Sequence, residues 1–276
     1  MTVTRSTDAG SSGWAQGLRP VTRSRAEARR AYDRASRWHR FVEEPFERRA
    51  RAVGLGLLRV RPGERVLELG CGSGGALVAL ARAVGQEGRV VGLDLSPGMI
   101  GQAAARLRRV GLDERAELRV GDATSISFED SSFDALFVAF TLELFDTPEI
   151  PLVLAECRRV LRPGGRIAAV SLSRAAPVRW PTRAYEQLHD RFPAAFDCRP
   201  IHPRLALEAA GFEGARSTSI PLWGLRGEAV VAVRPSAASS PADDAPGPPP
   251  IVARARREDG AGSPSPVPWP NTPARP

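Results

Sequence analysis

The chain has 276 residues and a formal net charge of +8. That length is enough for one large domain or two small ones, and a hydrophobic content of 42% allows a sizeable core. No apolar run approaches the roughly 18 residues that a membrane-spanning helix needs. The polar segment Met1–Gly17 lacks the apolar stretch of a secretory signal, so we expect a cytoplasmic protein.

The positive charge does not indicate a nucleic-acid-binding protein. All 39 basic residues are arginine and Asn271 is the only asparagine, a bias that is typical of a GC-rich genome. The arginines are scattered among acids, whereas a nucleic-acid footprint is a clustered stripe on a recognisable module. We therefore expect no nucleic-acid partner and at most a peripheral membrane contact, and the sequence leaves the oligomeric state open.

The cysteines favour a reducing compartment. Cys71, Cys157 and Cys198 are odd in number and far apart, with neither disulfide-framework nor zinc-site spacing. We expect no metal.

Strands alternate with helices through the middle of the sequence. The predicted strands are Val66–Leu69, Val90–Leu95, Leu118–Val120, Ala135–Phe140, Ile167–Leu172, and then roughly Ala215–Leu222 and Glu228–Val233. The first five are nearly continuous apolar runs, which indicate a parallel sheet covered on both faces. The predicted helices are Ser24 to about Ala52 with a break at Pro45, Ala76–Val84, one capped by Ser96 and closed by Gly111, one opened by Thr147-Pro148, Thr182–Phe192 and Pro203–Ala210.

These elements predict one folded domain with two disordered ends. We expect residues 1–20 to be disordered, residues 21–235 to fold, and the Pro-, Ala- and Ser-rich residues 236–276 to be disordered, since they cannot bury enough apolar surface. Within the domain, residues 21–60 form a helical cap and residues 174–202 an insertion after the fifth strand.

The first strand runs into a glycine-rich turn. Gly70, Gly72 and Gly75 satisfy the spacing G-x-G-x-x-G, and Asp94 ends the second strand, as in dinucleotide-binding proteins. Glycines there permit a tight turn and let a cofactor approach the backbone. Taken alone, the turn leaves a nicotinamide-dependent oxidoreductase open as an alternative.

Three further features favour S-adenosylmethionine (SAM). Glu68 precedes the first glycine by two residues, where it would repel a pyrophosphate but not the ammonium of SAM. Asp122 follows the third strand and is suited to accept a hydrogen bond from an adenine amino group. Arg162-Pro163-Gly164-Gly165 joins a helix to the fifth strand.

With these four motifs in order, the sequence resembles the class I SAM-dependent methyltransferases from about Tyr32 to Val233. Within them it is most similar to the ubiquinone/menaquinone-methyltransferase-like (type 11) group. The resemblance implies a Rossmann-like, doubly wound sheet of seven mostly parallel strands with one antiparallel strand. It implies an enzyme that uses SAM; a SAM-binding protein without catalysis is the remaining alternative.

The resemblance also implies residue roles. Residues at the methionine end of SAM would be Glu68, Gly70, Cys71, Gly72 and Gly74, with Tyr32 of a Tyr-Asp pair nearby. Asp94 would bind the ribose hydroxyls. The residues around adenine and the sulfonium would be Leu95, Met99, Asp122, Ala123 and Phe140. Cys71 is interpreted as a small residue of the turn, because methyl transfer needs no enzyme nucleophile.

The expected acceptor is a small or lipid-like molecule. We place its site in the insertion, where Tyr185 and His189 are four residues apart and share a helical face. There His189 is the candidate base, with Tyr185 beside it, and Arg199 would orient an anionic or carbonyl oxygen; the alternative is that this face only packs the helix down.

One departure affects the acceptor. Quinone methyltransferases of the group carry Gly-Leu-Arg-Asn after the fourth strand, whereas this chain has Thr141-Leu142-Glu143-Leu144. A quinol, phenol or polyketide-like acceptor is still expected first. An amine-bearing lipid or metabolite is second, since Glu143 would either face a cationic acceptor or lie on the surface beside Asp146.

Overall fold

A computed structural model of the chain describes residues 13–21, 26–27, 29–30, 33, 44–174, 180–191, 198–222 and 224–236. The chain divides into two units, Met1–Ala237 and Ala238–Pro276, and every described residue belongs to the first. Except for Ser236, the tail that was predicted to be disordered lies outside the described residues. No helix within these ranges is long and apolar enough to cross a membrane.

One seven-stranded sheet forms the centre of the first unit, and its strand order is β3-β2-β1-β4-β5-β7-β6. Its strands are β1 Arg65–Leu69, β2 Arg89–Asp94, β3 Ala116–Val120, β4 Phe133–Ala139, β5 Leu161–Leu172, β6 Glu213–Leu222 and β7 Leu225–Val233. β1 to β5 pair in parallel and β7 pairs antiparallel to both neighbours. The predicted strand number and the single antiparallel strand are confirmed.

Helices cover both faces of the sheet. In the described ranges they are α1 Glu44–Leu58, α2 Leu77–Ala83, α3 Pro97–Arg109, α4 Ile150–Val160, α5 Trp180–Arg191 and α6 Pro203–Ala209. Buried residues of α1, α2 and α3 pack into one apolar cluster, and those of α4 and α6 pack into another. The nearly continuous apolar strands follow from this arrangement, because each strand is covered on both sides.

Two predicted element ends differ from the structure. α1 begins at Glu44, so Pro45 lies in its first turn, in agreement with the predicted break, but α1 continues to Leu58, beyond the predicted end near Ala52. A proline is tolerated there because the first-turn N–H groups have no partner within the helix. The Arg162–Gly165 motif lies inside β5 as an irregularity, because the register with β4 shifts between Phe133 and Ala135.

The predicted disordered N-terminus is too long. Residues 13–21 lie against the domain, where Trp14 is buried in the cluster with α4 and α6. The backbone N–H of Val21 donates to Oδ1 of Asp146 at 3.1 Å. A single buried indole supplies apolar surface that composition averaged over a polar segment conceals.

The sheet topology brings the ends of β1, β2, β3 and β4 to one edge. β1 lies between β2 and β4, and parallel pairing aligns Leu69 with Leu93 and with Val138. Loops that leave the carboxyl ends of neighbouring parallel strands meet at a crevice, which is where open α/β sheets bind ligands.

Candidate functional site

A cleft opens at this edge of the sheet. Its described lining comes from the turn after β1, from the ends of β2, β3 and β4, from α1, and from single residues further along the chain. The lining residues are Glu47, Arg51, Glu68, Leu69, Gly70, Cys71, Gly72, Ser73, Gly75, Ala76, Leu93, Asp94, Leu95, Met99, Gly121, Asp122, Ala123, Ala139, Phe140, Thr141, Leu144, Phe145, Glu149 and Cys198.

The glycine turn is held against the end of β2 by its backbone. The N–H groups of Gly70 and Cys71 both donate to the carbonyl of Leu93, at 2.8 and 3.1 Å. Gly70 has φ +65°, and a β-carbon there would stand 2.3 Å from Oγ1 of Thr141. Only glycine fits this position, for both conformational and steric reasons.

Gly72 leaves open space above the turn. It has φ +50°, and a β-carbon on it would meet no atom of the described residues within 4 Å. The turn therefore presents backbone to the cleft at a point where a ligand can approach closely.

Asp94 is fixed at the end of β2 by two backbone donors. Its Oδ2 accepts from the N–H of Gly72 at 2.8 Å and its Oδ1 from the N–H of Ser96 at 2.9 Å. Ser96 in turn caps α3, accepting from the N–H of Met99 at 3.1 Å. The carboxylate is thus pre-oriented by the turn and by the helix that follow the two strands.

Glu68 is a buried carboxyl beside that turn. It is 4% exposed, and its Oε2 is a buried oxygen without a hydrogen-bond partner among the described residues. Burial raises its pKa to about 8, the nearby Arg51 guanidinium lowers the pKa, and the Asp94 carboxylate raises it. A buried carboxyl without a donor is costly, so this position is suited to a ligand that supplies a positively charged donor.

The remaining predicted cofactor residues cluster on the same side. Asp122 organises the turn after β3, since its Oδ1 accepts from the N–H and the hydroxyl of Thr124, both at 2.9 Å. Leu95, Met99 and Ala123 line the cleft next to it. Met99 is almost fully buried, which makes it a wall of the cleft and part of the core at once.

Phe140 has a strained backbone. Its φ is +53°, in the left-handed region that aromatic residues rarely adopt. Its N–H donates to the carbonyl of Val170 at 2.7 Å, and the residue lines the cleft although only 6% of it is exposed. Such outliers persist where the surroundings over-determine them, and they cluster at functional sites.

Two predicted cofactor residues are not part of the described lining. Gly74 has a packing reason to be glycine: a β-carbon there would stand 3.1 Å from the Cα and Cβ atoms of Ala103 on α3. Tyr32 lies outside the described residues, but its neighbour Asp33 is described. The Oδ1 atom of Asp33 accepts from the hydroxyl of Ser96 at 2.5 Å and from the N–H of Gly98 at 3.2 Å, at the start of α3.

The prediction that Arg199 meets an acceptor oxygen is wrong. Its side chain is fully buried and donates to the carbonyl of Arg19 at 2.6 Å and to the carbonyl of Phe145 at 2.7 Å. It also donates to the hydroxyl of Thr147 at 3.1 Å. Arg199 thus fastens the N-terminal segment to the loop after β4, a contact that arginine's rigid fork of donors makes possible.

Tyr185 and His189 are also absent from the described lining of the cleft. His189 is 5% exposed and shares the buried face of α5 with Thr182 and Glu186. Tyr185 is half-buried and packs against the apolar cluster of α1, α2 and α3. The shared helical face was predicted correctly, but it is the face that packs α5 onto the domain.

Neither expected position of Glu143 is found. It is fully buried, and its Oε1 accepts from the N–H of Leu172 at 3.1 Å. Its charge acts on the buried Arg199: burial lowers the pKa of Arg199, while the carboxylates of Asp146 and Glu143 raise it.

Two groups of lining residues were not predicted from the sequence. One is the pair Glu47 and Arg51 on α1, four residues apart, which form an ion pair. The other we name the loop wall, made of Leu144, Phe145, Glu149 and Cys198. The i,i+4 spacing of Glu47 and Arg51 was the available signal, yet it is also typical of a solvated helix surface.

The central segment of the chain is similar to known methyltransferases. Residues 66–165 match a protein family described as a methyltransferase domain. A 2-phytyl-1,4-naphtoquinone methyltransferase of Synechococcus elongatus is 39% identical over 114 residues, which is 41% of this chain and 48% of that protein. A demethylmenaquinone methyltransferase of Lactobacillus johnsonii is 36% identical over 116 residues, 42% of this chain and 47% of that protein. The chain thus spans about half the length of the curated relatives it matches.

Solved structures share the fold. A complex of the Haloferax volcanii Trm112 methyltransferase activator and a methyltransferase matches with a TM-score of 0.60 at 22% identity, over 74% of this chain and 97% of that one. Geranyl diphosphate C-methyltransferase from Streptomyces coelicolor A3(2) matches with a TM-score of 0.54 at 17% identity, over 66% and 75%.

The order of the seven strands, with one antiparallel strand, is that of the class I methyltransferase fold, and residues 66–165 within it match a methyltransferase domain.

Proposed function

We propose that this protein transfers a methyl group from SAM to a small, largely apolar acceptor. The observation that carries the proposal is the buried oxygen of Glu68, to which no residue in the described ranges donates a hydrogen bond, next to a glycine turn that is open towards the cleft. An ammonium group would satisfy that oxygen. A pyrophosphate has no hydrogen-bond donor for that oxygen, which argues against the nicotinamide alternative.

The residues of the cleft fit the parts of SAM. Glu68 would hold the ammonium, and the pre-oriented carboxylate of Asp94 would accept hydrogen bonds from the two ribose hydroxyls. Asp122 and the backbone of Ala123 would meet the edge of the adenine, with Leu95 and Met99 against its faces. Phe140 would pack beside the sulfonium.

When bound, SAM supplies a methyl group on a positively charged sulfur, so the reaction is a displacement that needs alignment more than an enzyme nucleophile. Fixing two reactants in line contributes up to about 7–11 kcal/mol to lowering a barrier. The chain's part is therefore to orient the donor through Asp94 and Glu68, to exclude water with Phe140 and the loop wall, and to position the acceptor.

For the acceptor, we favour a quinol, phenol or polyketide-like carbon or oxygen. Phe140, Leu144 and Phe145 give the cleft apolar walls suited to a flat ring. The relatives that methylate naphthoquinones and demethylmenaquinone support this choice by similarity.

An amine-bearing acceptor is the second candidate. The carboxylates of Glu47 and Glu149 line the same cleft, and aromatic faces with nearby carboxylates are favourable surroundings for a cation.

Calorimetry with SAM, S-adenosylhomocysteine and NADH tests the donor. We expect binding of the first two; NADH binding without SAM binding would overturn the proposal. Incubation with methyl-labelled SAM and two probes, a chemically reduced 2-alkyl-1,4-naphthoquinone and a long-chain primary amine, tests the acceptor. We expect label on the naphthoquinol; label on the amine alone would favour the second candidate. SAM binding without label transfer to any acceptor in a host metabolite extract would indicate a non-catalytic SAM-binding protein.

A further inference from the structure

Residues 13–21, which we name the N-terminal strap, are fastened to the domain near both ends. Near the start, the indole of Trp14 is 7% exposed and is buried in the apolar cluster of α4 and α6, where Ala15 and Leu18 add partly buried contacts. At the other end, the N–H of Val21 donates to Oδ1 of Asp146 at 3.1 Å. Trp14 is the only strap residue that is buried, so it supplies most of the apolar anchoring.

Between its ends, the strap crosses residues that follow β5. A β-carbon on Gly17 would stand 2.5 Å from Nη1 of Arg174, whose Nε donates to Oε1 of Glu186 on α5 at 2.8 Å. The side chain of His202 forms a hydrogen bond with the backbone of Gln16. Gly17 has φ +72°, so both its backbone conformation and its close contact favour glycine.

The strap is joined to the loop wall through Arg199. This buried guanidinium donates to the carbonyl of Arg19 in the strap at 2.6 Å and to the carbonyl of Phe145 in the loop wall at 2.7 Å. Cys198, which also belongs to the loop wall, directly precedes Arg199 in the chain. A buried guanidinium needs acceptors for its donors, so displacement of the strap would remove one acceptor and disturb the contact with the wall.

A second connection runs through Asp146, which follows Phe145. Its Oδ1 accepts from the strap at Val21 and also from the N–H of Thr147 at 2.8 Å. Its own N–H donates to Oε2 of Glu149, a residue of the loop wall, at 3.2 Å. No residue of the strap is among the described residues that line the cleft, so the strap can act on a bound acceptor only through the wall.

We infer that Trp14 is a positioning residue for the reaction: it anchors the N-terminal strap, and the strap holds the loop wall in the arrangement that receives the acceptor. The inference rests on the proposed function, in which the loop wall faces the acceptor. Phe145 and Cys198 lie outside the strands and α-helices, so their positions depend on contacts such as those of Arg199. Glu68 and Asp94 lie on paired strands of the sheet, so the donor side should not respond to the strap.

Hydrogen exchange of backbone amides tests the inference without any acceptor. Trp14→Ala should release the strap, and we expect exchange in peptides covering residues 142–149 and 198–202 to become about fivefold faster or more. Exchange in the turn after β1, residues 70–75, should change by less than about twofold. Trp14→Phe keeps an aromatic anchor and should restore most of the protection. Equal acceleration in all of these peptides would overturn a specific role of Trp14 at the loop wall.

A matched pair of glycine variants makes a milder change than the loss of the indole. Gly17→Ala places a methyl group against Arg174 and leaves the residue strained at φ +72°. Gly13→Ala adds the same group to an exposed position of the strap, where it would meet no atom of the described residues within 4 Å. We expect faster exchange at the loop wall in Gly17→Ala and none in Gly13→Ala. Equal behaviour of the two variants would overturn the inference even if Trp14→Ala does not fold.

Turnover supplies the second readout. With methyl-labelled SAM and the acceptor probe that the wild type labels, we expect Trp14→Ala to lower kcat/KM for the acceptor roughly tenfold. Misplacing a positioning contact by about 1 Å can cost up to about 100-fold. The KM for SAM should stay within about twofold of wild type.

The outcomes separate the two claims. Unchanged exchange at the loop wall, or unchanged kcat/KM for the acceptor, in both Trp14→Ala and Gly17→Ala would overturn the inference while the proposed function stands. A wild-type chain that binds neither SAM nor S-adenosylhomocysteine would overturn the proposed function itself, whatever the exchange experiment shows.

Discussion

The two sides of the cleft are built in different ways. The cofactor side is formed by Glu68, the glycine turn, Asp94 and Asp122, which lie at or next to the ends of neighbouring strands. The loop wall draws its residues from the segment after β4 and from Cys198, which is distant in sequence. The first side is positioned by the sheet itself. The second depends on long-range contacts such as those of Arg199, so changes on the two sides should have separable effects.

The largest expected effect is on the cofactor side. Asp94→Ala removes the carboxylate assigned to the ribose, so SAM affinity should fall by roughly 100-fold or more, the sum of two bonds of about 1.5–3 kcal/mol each. Isothermal calorimetry measures it, with Asp113→Ala as an exposed acidic control. Unchanged affinity would remove Asp94 from the site.

The second largest effect is expected on stability, where Arg199 holds the loop wall through its hydrogen bonds. Arg199→Lys loses the fork that bonds two carbonyls and a hydroxyl, and should lower the free energy of unfolding by about 2–4 kcal/mol. Arg204→Lys, in an exposed ion pair with Glu208, should cost less than about 0.5 kcal/mol. Urea unfolding measures both. SAM affinity of the folded Arg199→Lys protein should stay within about threefold of wild type; a larger loss would show that the two sides are coupled.

Glu68 should link SAM binding to proton release. Because its pKa is about 8 without ligand, the carboxyl is mostly protonated at pH 7, and an ammonium partner would favour its charged form. We expect close to one proton to be released per SAM bound. Calorimetry at pH 7 in buffers of different ionisation enthalpy counts the protons, and Glu68→Gln should abolish the release; release that persists in this variant would come from another group.

The same carboxyl should also affect stability. Its pKa is raised on folding, so its stabilising contribution is complete below its unfolded pKa of about 4.5 and is lost as pH rises through about 8. Without ligand, Glu68→Gln should therefore be more stable than wild type at pH 8, by about 1 kcal/mol or more, and no more stable at pH 4. Thermal unfolding at the two pH values decides this.

Two substitutions of Phe140 should differ in stability by a smaller amount, and the sign of that difference tests whether the backbone is strained. Both variants lose the packing of the ring. An alanine at φ +53° keeps the backbone strain, whereas a glycine relieves it. Phe140→Gly should therefore be about 1 kcal/mol more stable than Phe140→Ala, the reverse of the usual order within a strand. Urea unfolding of the two variants measures the difference, and equal stability would mean that the backbone is not strained.

The smallest effect on SAM binding is expected at the loop wall. Phe145→Ala should change SAM affinity by less than about twofold, yet it should alter relative turnover among acceptors of different ring size. Competition assays with methyl-labelled SAM measure that ratio. A loss of SAM affinity close to that of Asp94→Ala would place Phe145 on the cofactor side.

The residues predicted to bind the acceptor, Tyr185, His189 and Arg199, are not part of the described lining of the cleft. Tyr185 and His189 were correctly placed on one helical face, but periodicity does not say whether a face packs on the core or lines a cleft. Arg199 was interpreted from its charge as a ligand-binding residue, whereas its bonds go to backbone carbonyls of segments far away in the chain.

The sequence by itself determined the sheet, the glycine turn and the carboxylates Glu68, Asp94 and Asp122. These features are local: a strand, a tight turn and a helix follow one another, and parallel pairing then brings their ends together. Only the tertiary structure decided that Arg51 lines the cleft, that Glu143 and Arg199 are buried, and that Phe145 and Cys198 share a cleft. Whether a polar side chain is buried depends on partners supplied by distant segments, and local sequence carries no signal of them.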